Sequence, residues 1–352
     1  MTSGTPHLQI GGRRVGVGES PFVIAEIGVN HDGSVERAIE LVHAASDVGA
    51  DAVKMQWFEA ERLVGNRGSV AAYQRRAGVE DQKVMLAELE LSRDEMAKVV
   101  EAAQKVGIAS LVTVFSTELV ESARDLEWDA WKTASPDLVH RPLLEAMAAD
   151  GRPMLVSTGA SELDEIVRTN GWLSRSEVGF LHCVSAYPTP EESAELAGIS
   201  TITAATGRPC GYSDHTAEIM TGGLAVAAGA CILEKHLTWS READGPDHIA
   251  SMEPDGFRAY VDFVRRAHAA MGQGGKSVGD IERDVRGVAR QSVRAAVDLP
   301  EGAVLSHSDL VVKRPGDGME PWRLGEIVGR RLLRGVAADR AIQMEDLEEA
   351  RP

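Results

Sequence analysis

The stretch from Arg208 to Ser251 constrains the fold most, because it contains two apolar runs that each end at a histidine. Runs of this kind are typical of strands that are buried on both faces of a parallel sheet. A small-residue helix pattern, MTGGLAVAAGA, separates them, so the segment predicts a strand–helix–strand unit. His215 and His236 would then lie at the carboxyl ends of adjacent strands, about one strand spacing apart. Such a pair can bind a metal, although two capping or core histidines would give the same pattern.

The charge balance excludes several classes of partner. Lysine and arginine number 37 against 54 aspartates and glutamates, which gives a formal net charge of −17. We expect no binding to nucleic acid or to an anionic membrane, and an anionic substrate would need a local cluster of cations. The three cysteines lack metal-type spacing, and the N-terminus carries no apolar signal segment. These features predict a cytoplasmic protein with reduced thiols.

Eight short apolar runs, separated by helix patterns, recur before residue 240. The predicted strands are 22–28, 52–56, 109–114, 128–133, 154–158, 178–184, 210–213 and 231–236. Eight parallel strands that alternate with helices over about 250 residues are typical of an α/β protein with a (β/α)8 TIM barrel. A doubly wound open sheet is the alternative, but it would rarely place polar residues at every strand end. In a barrel those ends form the active-site face, so the polar residues there are candidates for function.

The chain changes character near residue 275. GQGGKSVGD is a glycine-rich loop, and a polar helix pattern, IERDVRGVARQ, follows it. Short Val and Leu pieces separated by turns then predict a small β-rich domain. We place the catalytic barrel at 1–275, a linker at 276–290 and the small domain at 291–352. A domain of about 60 residues is expected to have little core of its own, so it should pack on its barrel or on a second subunit.

Lysines and hydroxyls end several of the predicted strands. Lys54 and Lys132 are the two lysines, and the serines are Ser135, Ser157, Ser185 and Ser213. Two ammonium groups and several hydroxyls at a barrel mouth suit a phosphate. A single lysine could instead reach to solvent, and serine is a routine turn residue, so only the whole set carries weight. Glu26 is costly to bury unpaired, and it is either salt-bridged structurally or an acid of the site.

Nine motifs in order resemble the sialic acid synthase family. They are AEIGVNHDGS, GADAVKMQ, KTAS, LVSTG, LHCVSAYPTP, GYSDHT, EKHLT, DGPDHIAS and KRPGDG, and they span nearly the whole chain. Enzymes of that family, which include N-acetylneuraminate, legionaminic acid and pseudaminic acid synthases, condense phosphoenolpyruvate with N-acetylmannosamine or a related sugar. The resemblance implies a barrel followed by an antifreeze-like SAF domain of the β-clip type. It also implies a domain-swapped homodimer in which the small domain of one subunit covers the barrel mouth of the other.

The resemblance also assigns roles to residues of this chain. His215 and His236 would bind a divalent metal, Mn²⁺ or Mg²⁺. The phosphoenolpyruvate site would be lined by Lys54, Thr113, Lys132, Ser135, Ser157, Ser185 and Ser213. The sugar would be held by Glu26, Gln56, Tyr187, Asp247 and the partner subunit's Arg314. Of these residues, the candidate catalytic set is Glu26, Lys54, His215, His236 and Asp247, although Asp247 also fits a structural turn in DGPDH.

Four positions depart from the family pattern. They are Ser185 where Asn is usual, Pro136-Asp137 where Gly-Glu is common, Trp57 in place of a small Thr, and Ala217-Glu218 after the SDHT motif. The first change exchanges one phosphate donor for another. The other three are expected to touch the sugar side of the site. The acceptor sugar therefore stays open, and relatives acting on diacetamido-trideoxy sugars share some of these variations.

Three other functions compete with the synthase. A metal-dependent barrel hydrolase also uses histidines at strand ends, but it typically needs His-x-His on the first strand, where this chain has Glu26-x-Gly28. A Schiff-base aldolase could use Lys54 or Lys132 as its amine. A non-catalytic sugar-binding or surface-interaction protein is the third alternative, and the lysines, histidines and aspartate at the strand ends argue against it.

Overall fold

The computed structural model describes residues 6–65, 81–272 and 274–349. The chain divides into two compact units, 1–273 and 274–352. The strands are β1 (His7–Ile10), β2 (Arg13–Gly16), β3 (Phe22–Glu26), β4 (Ala52–Trp57), β5 (Ala109–Val114), β6 (Ala130–Thr133), β7 (Met154–Ser157), β8 (Val178–Cys183), β9 (Cys210–Asp214), β10 (Ile232–His236), β11 (Ser292–Ala295) and β12 (Leu310–Lys313). Strands β3 to β10 form a closed parallel barrel in sequence order, with β10 pairing β3, and this confirms the TIM-barrel prediction.

Helices follow the barrel strands as the sequence pattern predicts. They are α1 (Val35–Asp47), α2 (Ala60–Leu63), α3 (Gln82–Glu88), α4 (Arg93–Val106), α5 (Thr117–Arg124), α6 (Arg141–Ala148), α7 (Leu163–Trp172), α8 (Gly198–Thr206), α9 (Met220–Ala227), α10 (Pro254–Met271), α11 (Arg283–Ala289) and α12 (Leu324–Ile327). Ser34 caps α1 by accepting a hydrogen bond from the Arg37 amide. No helix in the described ranges is long and apolar enough to cross a membrane. The segment between β4 and α4 contains α2 and α3, and its residues 66–80 lie outside the described residues.

The barrel register brings polar residues of distant segments side by side. Glu26 at the end of β3 lies opposite His236 on one neighbouring strand and Lys54 on the other. Thr113 of β5 is likewise opposite both Gln56 and Lys132. Because these strands are parallel, their carboxyl ends meet at one mouth, and the mouth becomes polar.

A hairpin near the N-terminus, for which the sequence analysis predicts no strand, closes the other end of the barrel. Strands β1 and β2 pair antiparallel, and Leu8, Ile10 and Val15 are buried. They pack in one cluster with Phe22 and Leu111 among the side chains at this end. The pattern of alternating burial in β1 covers only four residues, which is too short to stand out from a turn-rich terminus.

The second unit has a core of its own, so the prediction that it has little core was wrong. Strands β11 and β12 pair antiparallel, and helix α11 confirms the polar helix pattern. The buried apolar residues are Val293, Ala295, Leu299, Leu305, Met319, Ile327, Leu332, Val336, Ile342 and Leu347. They are spread singly along the sequence between turns, which is why no apolar run announces them. The unit also leaves several large apolar side chains exposed, among them Val285, Val288, Trp322 and Leu333.

Candidate active site

A cavity of about 640 Å³ lies at the carboxyl ends of the barrel strands. It brings together twelve of the fourteen residues that the sequence analysis selected: Lys54, Gln56, Thr113, Lys132, Ser135, Ser157, Ser185, Tyr187, Ser213, His215, His236 and Asp247. Glu26 lies behind the cavity wall, in contact with Lys54 and Gln56. Arg314 belongs to the second unit. The convergence predicted from the strand ends is therefore a property of the folded barrel.

The two lysines share a buried carboxylate that the sequence analysis did not select. Glu234 Oε2 is 3.2 Å from Lys54 Nζ, and its Oε1 is 3.4 Å from Lys132 Nζ. Ser213 donates a 2.7 Å hydrogen bond to the same Oε1. Although burial opposes it, the ammonium groups of Lys132 and Lys54 hold the pKa of Glu234 below its usual value. One signal was available, because Glu234 is two residues before His236 and so faces the same side of its strand.

Lys54 is held between two acids. Its Nζ is 2.6 Å from Glu26 Oε2 as well as 3.2 Å from Glu234 Oε2. Glu26 therefore fits both alternatives of the sequence analysis: its carboxylate forms a salt bridge, and it does so with a lysine of the site. Burial lowers the pKa of Lys54 to about 7, with Glu234 opposing the shift and Lys132 adding to it. Near neutral pH the Lys54 amine is therefore present in both protonation states.

Hydroxyls and one backbone amide surround the lysine pair. Lys132 Nζ donates to Ser157 Oγ at 2.5 Å. Gly159 N donates to Ser135 Oγ at 3.1 Å, and glycine is required here because a Cβ would come within 2.4 Å of Ser185 Oγ. Thr113 Oγ1 is buried and has no hydrogen-bond partner among the described residues. The cluster offers several donors to an anion at a single point.

The two histidines are neutral and close together. Their ring centroids are 5.7 Å apart, and Tyr187 lies 4.2 Å from the His215 ring. Burial lowers the pKa of His215 to about 4. Burial, together with His215 and Lys54, lowers the pKa of His236 well below its usual value. Both imidazoles are therefore uncharged at neutral pH, which is the form that binds metals.

The donor atoms of these histidines fit a metal ion. His215 Nδ1 donates to the Val184 carbonyl at 2.8 Å, so the lone pair is on Nε2. The nearest hydroxyl, on Ser213, gives its proton to Glu234, which leaves that lone pair without a donor. His236 Nδ1 is buried without a hydrogen-bond partner in the described part of the chain. The described residues hold no group of three or more His, Cys, Asp or Glu side chains that could bind a metal, and the two histidines form a pair of such donors.

The opposite side of the cavity combines polar groups with an apolar wall. Asp247 Oδ2 is 3.7 Å from His236 Nδ1, and burial raises the pKa of Asp247 to about 6. Gln56 donates to Glu26 Oε1 at 3.2 Å. The apolar wall consists of Val29, Phe58, Met85, Leu86 and Phe115, with the two phenylalanine rings packed edge to face.

Two departures from the family pattern do not touch the cavity, so their expected contact with the sugar side was wrong. Trp57 is buried in the core, because its side chain points to the outer face of β4. Glu218 is exposed and does not line the cavity. Asp137 and Ser185 do line it, and burial raises the pKa of Asp137 to about 6. The differences that can act on a ligand directly are therefore Pro136, Asp137 and Ser185.

A closed parallel barrel whose mouth holds a lysine pair, several hydroxyls and two neutral histidines defines the class of protein as a barrel enzyme. Comparisons with known proteins give the family. The NeuB family model matches residues 41–276, and the SAF domain model matches residues 290–348. The chain therefore belongs to the NeuB family of sialic acid synthases, and it is a transferase that carries a C-terminal SAF domain.

Relatives match along almost the whole chain. N,N'-diacetyllegionaminic acid synthase of Legionella pneumophila is 37% identical over 93% of this chain and 94% of its own length. Human N-acetylneuraminate-9-phosphate synthase is 32% identical over 96% of this chain and 95% of its own. The crystal structure of N-acetylneuraminic acid synthetase from Leptospira borgpetersenii is 29% identical, with a TM-score of 0.74 over 80% of this chain and 95% of that one.

Proposed function

We propose that the chain condenses phosphoenolpyruvate with the open-chain form of a 2-acylamino sugar, giving a nine-carbon 2-keto acid and inorganic phosphate. One arrangement carries this proposal: the lysine and serine cluster adjoins two neutral histidines in a single cavity. The cluster suits the phosphate and carboxylate of one substrate. The histidines suit the group that polarises the aldehyde of the other.

The phosphoenolpyruvate subsite is assigned to the lysine cluster. Lys54 and Lys132 would bind the anionic groups as ammonium ions. Hydrogen bonds would come from Thr113, Ser135, Ser157, Ser185 and Ser213. Thr113 Oγ1, which has no partner among the described residues, supports the assignment because a buried hydroxyl is normally hydrogen-bonded.

A divalent cation, Mn²⁺ or Mg²⁺, is assigned to His215 and His236. The charge of the cavity supports it, because the lining contains two lysines but three acids, Asp137, Glu234 and Asp247. A trianionic substrate would be repelled from such a cavity unless a cation were added. When bound, the ion would supply Lewis-acid polarisation of the sugar's aldehyde oxygen.

The chain's own residues would align the two reactants and manage their charge. The methylene carbon of phosphoenolpyruvate forms a bond to the aldehyde carbon, water adds to the former enol carbon, and phosphate departs with the C–O electron pair. Lys54 and Lys132 would hold the phosphate throughout and offset its charge as it leaves. Glu26, 2.6 Å from Lys54, would offset positive charge at the enol carbon and keep the ammonium in place. The loss of phosphate makes the overall reaction effectively irreversible.

The acceptor subsite is assigned to Gln56, Tyr187 and Asp247, which line the cavity together with the apolar wall, and to Glu26, which contacts Gln56 from behind the cavity wall. Methyl and acyl groups of a deoxy sugar would bury apolar surface against Phe115 and Leu86, whereas hydroxyls would lose their hydration there. We therefore favour a diacetamido-trideoxy hexose as the acceptor. The 37% identity to the legionaminic acid synthase supports the same choice.

The assembly we propose is a domain-swapped homodimer in the cytoplasm. Arg314 from the SAF domain of one subunit would complete the sugar subsite of the other. The family resemblance of the KRPGDG loop supports this role. Cys183, Cys210 and Cys231 are free and buried, which suits a reducing compartment.

The decisive experiment measures phosphate release from phosphoenolpyruvate with Mn²⁺ or Mg²⁺ and a panel of acceptors. The panel contains N-acetylmannosamine, its 6-phosphate and 2,4-diacetamido-2,4,6-trideoxymannose, and mass spectrometry identifies each product. We expect phosphate release to be fastest with the trideoxy sugar. Leu86→Ser should then reduce kcat/KM for this sugar more than for N-acetylmannosamine. If none of these sugars supports phosphate release, the proposed reaction is wrong.

A Schiff-base aldolase is the second candidate, because the pKa of Lys54 near 7 leaves much of its amine unprotonated and nucleophilic. Such an enzyme would form a keto acid from pyruvate and the sugar, or cleave it back to them, and would release no phosphate. Borohydride reduction in the presence of pyruvate and sugar would then attach the keto acid to Lys54. We expect no trapped adduct and no product from pyruvate.

A further inference from the structure

Two loops at the barrel mouth are tied together around Asp247. The first loop follows β3 and contains Asn30 and Asp32, and the second follows β10 and contains residues 237–253. Asn30 Nδ2 donates to the Leu237 carbonyl at 2.9 Å and to Ser251 Oγ at 2.8 Å. Ser251 Oγ in turn donates to the Asp247 carbonyl at 2.6 Å. Asn30 thus reaches the main chain of Asp247 through one hydroxyl.

The residue after Asp247 is held by the same first loop. His248 Nε2 lies 2.7 Å from Asp32 Oδ1, and its Nδ1 lies 2.7 Å from Thr238 Oγ1. The other oxygen of Asp32 accepts a hydrogen bond of 3.1 Å from Trp239 Nε1. His248 is 1% exposed and Asn30 is fully buried, so the bonds of Asn30 to Leu237 and Ser251 and of His248 to Thr238 are shielded from water. The bond of Asp32 to Trp239 is exposed.

The two ties fix the peptide of Asp247 from both sides. Pro246 and Asp247 of this loop line the cavity, and Asp247 Oδ2 is 3.7 Å from His236 Nδ1. A carboxylate on a loop can bind substrate well only if the loop is ordered before the substrate arrives. The side chains of Asn30 and Asp32 in the first loop therefore order the loop that carries Asp247.

We propose that Asn30 and Asp32 are positioning residues for Asp247, and that this two-point anchor sets the affinity of the enzyme for its acceptor sugar. The inference rests on the proposed function for the identity of the ligand. The anchor itself consists of hydrogen bonds between the two loops, so it does not depend on the proposed function. The anchor has no contact with the lysine cluster, so phosphoenolpyruvate binding is expected to be independent of it.

The first test removes the Asp32 side chain without straining the backbone. Asp32 has φ +52°, a left-handed conformation that glycine adopts freely. Asp32→Gly therefore removes the contacts of Asp32 with His248, Trp239 and Arg37 and leaves the Asn30 tie in place. We expect the KM for the sugar to rise roughly tenfold or more, with the KM for phosphoenolpyruvate unchanged. Asp32→Asn, which keeps an acceptor for His248 and tolerates the same φ, should restore most of the affinity. An equal rise of both KM values would overturn the proposal.

A double-mutant cycle tests whether the anchor acts through Asp247. In an Asp247→Ala background the anchored carboxylate is absent, so adding Asp32→Gly should cost almost nothing further in kcat/KM for the sugar. Additive losses would mean that Asp32 acts through another group and would overturn the proposal.

Hydrogen exchange supplies a readout that needs no substrate, and Asp51→Asn is the matched control. Asp51 forms a comparable cluster at the opposite end of the barrel, with Arg13, Arg265 and the Val23 amide. Amides of residues 240–252 should exchange faster in Asp32→Gly than in the parent protein. In Asp51→Asn they should exchange at the parent rate, although both variants are expected to lower Tm. Unchanged exchange in Asp32→Gly would overturn the anchor. If the parent protein releases no phosphate with any sugar, the proposed function is wrong, and the exchange result alone then decides whether the anchor exists.

Discussion

Lys235 and Asp214 form a buried ion pair, with Nζ 3.2 Å from Oδ2, on the outer side of the barrel wall directly behind the two histidines. Each residue precedes a histidine in the sequence, and the two are register partners on adjacent strands. Lys235 also donates to the Thr216 carbonyl at 2.8 Å and lies over the Tyr260 ring. The pair therefore ties together the ends of the strands that carry His215 and His236.

Removing one partner of this pair should be costly. Lys235→Met leaves the Asp214 carboxylate buried without its counter-ion, and such a loss typically costs about 3–5 kcal/mol. We expect a decrease of that size in the free energy of unfolding, measured by chemical denaturation. The control is Arg168→Met, which breaks the exposed Arg168–Asp164 pair on α7 and should have little effect. Equal effects of the two substitutions would contradict the structural role of the buried pair.

The protonation of Lys54 should control how phosphoenolpyruvate is captured. The ammonium form exists below the pKa of about 7, so kcat/KM for phosphoenolpyruvate should fall as pH rises through that value. Lys54→Arg keeps a positive charge at every accessible pH, so any activity that it retains should lack this alkaline decline. The measurement is a pH profile of kcat/KM for phosphoenolpyruvate at saturating sugar and metal. A decline of the same shape in both proteins would assign the titration to another group.

Much of the fold and most of the cavity lining could be predicted from the sequence, for a simple reason. A strand of a parallel barrel is buried on both faces, so its apolar run is visible locally, and its carboxyl end is known to face the site. Glu234 was missed because nothing near it shows that Lys54 and Lys132, over a hundred residues earlier, would share its carboxylate. The core of the SAF domain was missed because its apolar residues are isolated in sequence and meet only in the folded unit.

The metal assignment predicts a specific pattern of loss. His236→Ala should fold, bind Mn²⁺ much more weakly in calorimetry and lose phosphate release with every acceptor, because one of two protein ligands is gone. EDTA should abolish the activity of the parent protein. His43→Ala, which removes an exposed histidine on α1, is the control and should bind metal as the parent does. Activity that survives EDTA in the parent would refute the assignment.

Arg314 provides the test of the proposed dimer. It precedes Pro315 in the KRPGDG loop, where proline and two glycines favour a defined turn. The SAF domain has its own core and also exposes Trp322 and Leu333, and Arg314 tests the exchange through its charge. Arg314→Ala should raise the KM for sugar or cut turnover while leaving Mn²⁺ binding intact.

A mixed dimer then decides whether the arginine acts on its own barrel or on the other one. Arg314→Ala subunits alone are expected to have low activity at a limiting sugar concentration, and His236→Ala subunits alone are expected to have none. In a mixed dimer, the Arg314→Ala barrel keeps both histidines and receives an intact arginine from its neighbour. That barrel should work, so activity should return to about half of the normal value per mixed dimer. Affinity tags of two kinds isolate the mixed species for phosphate-release assays. Absence of recovery in such dimers would place Arg314 in its own subunit's site or outside the site altogether.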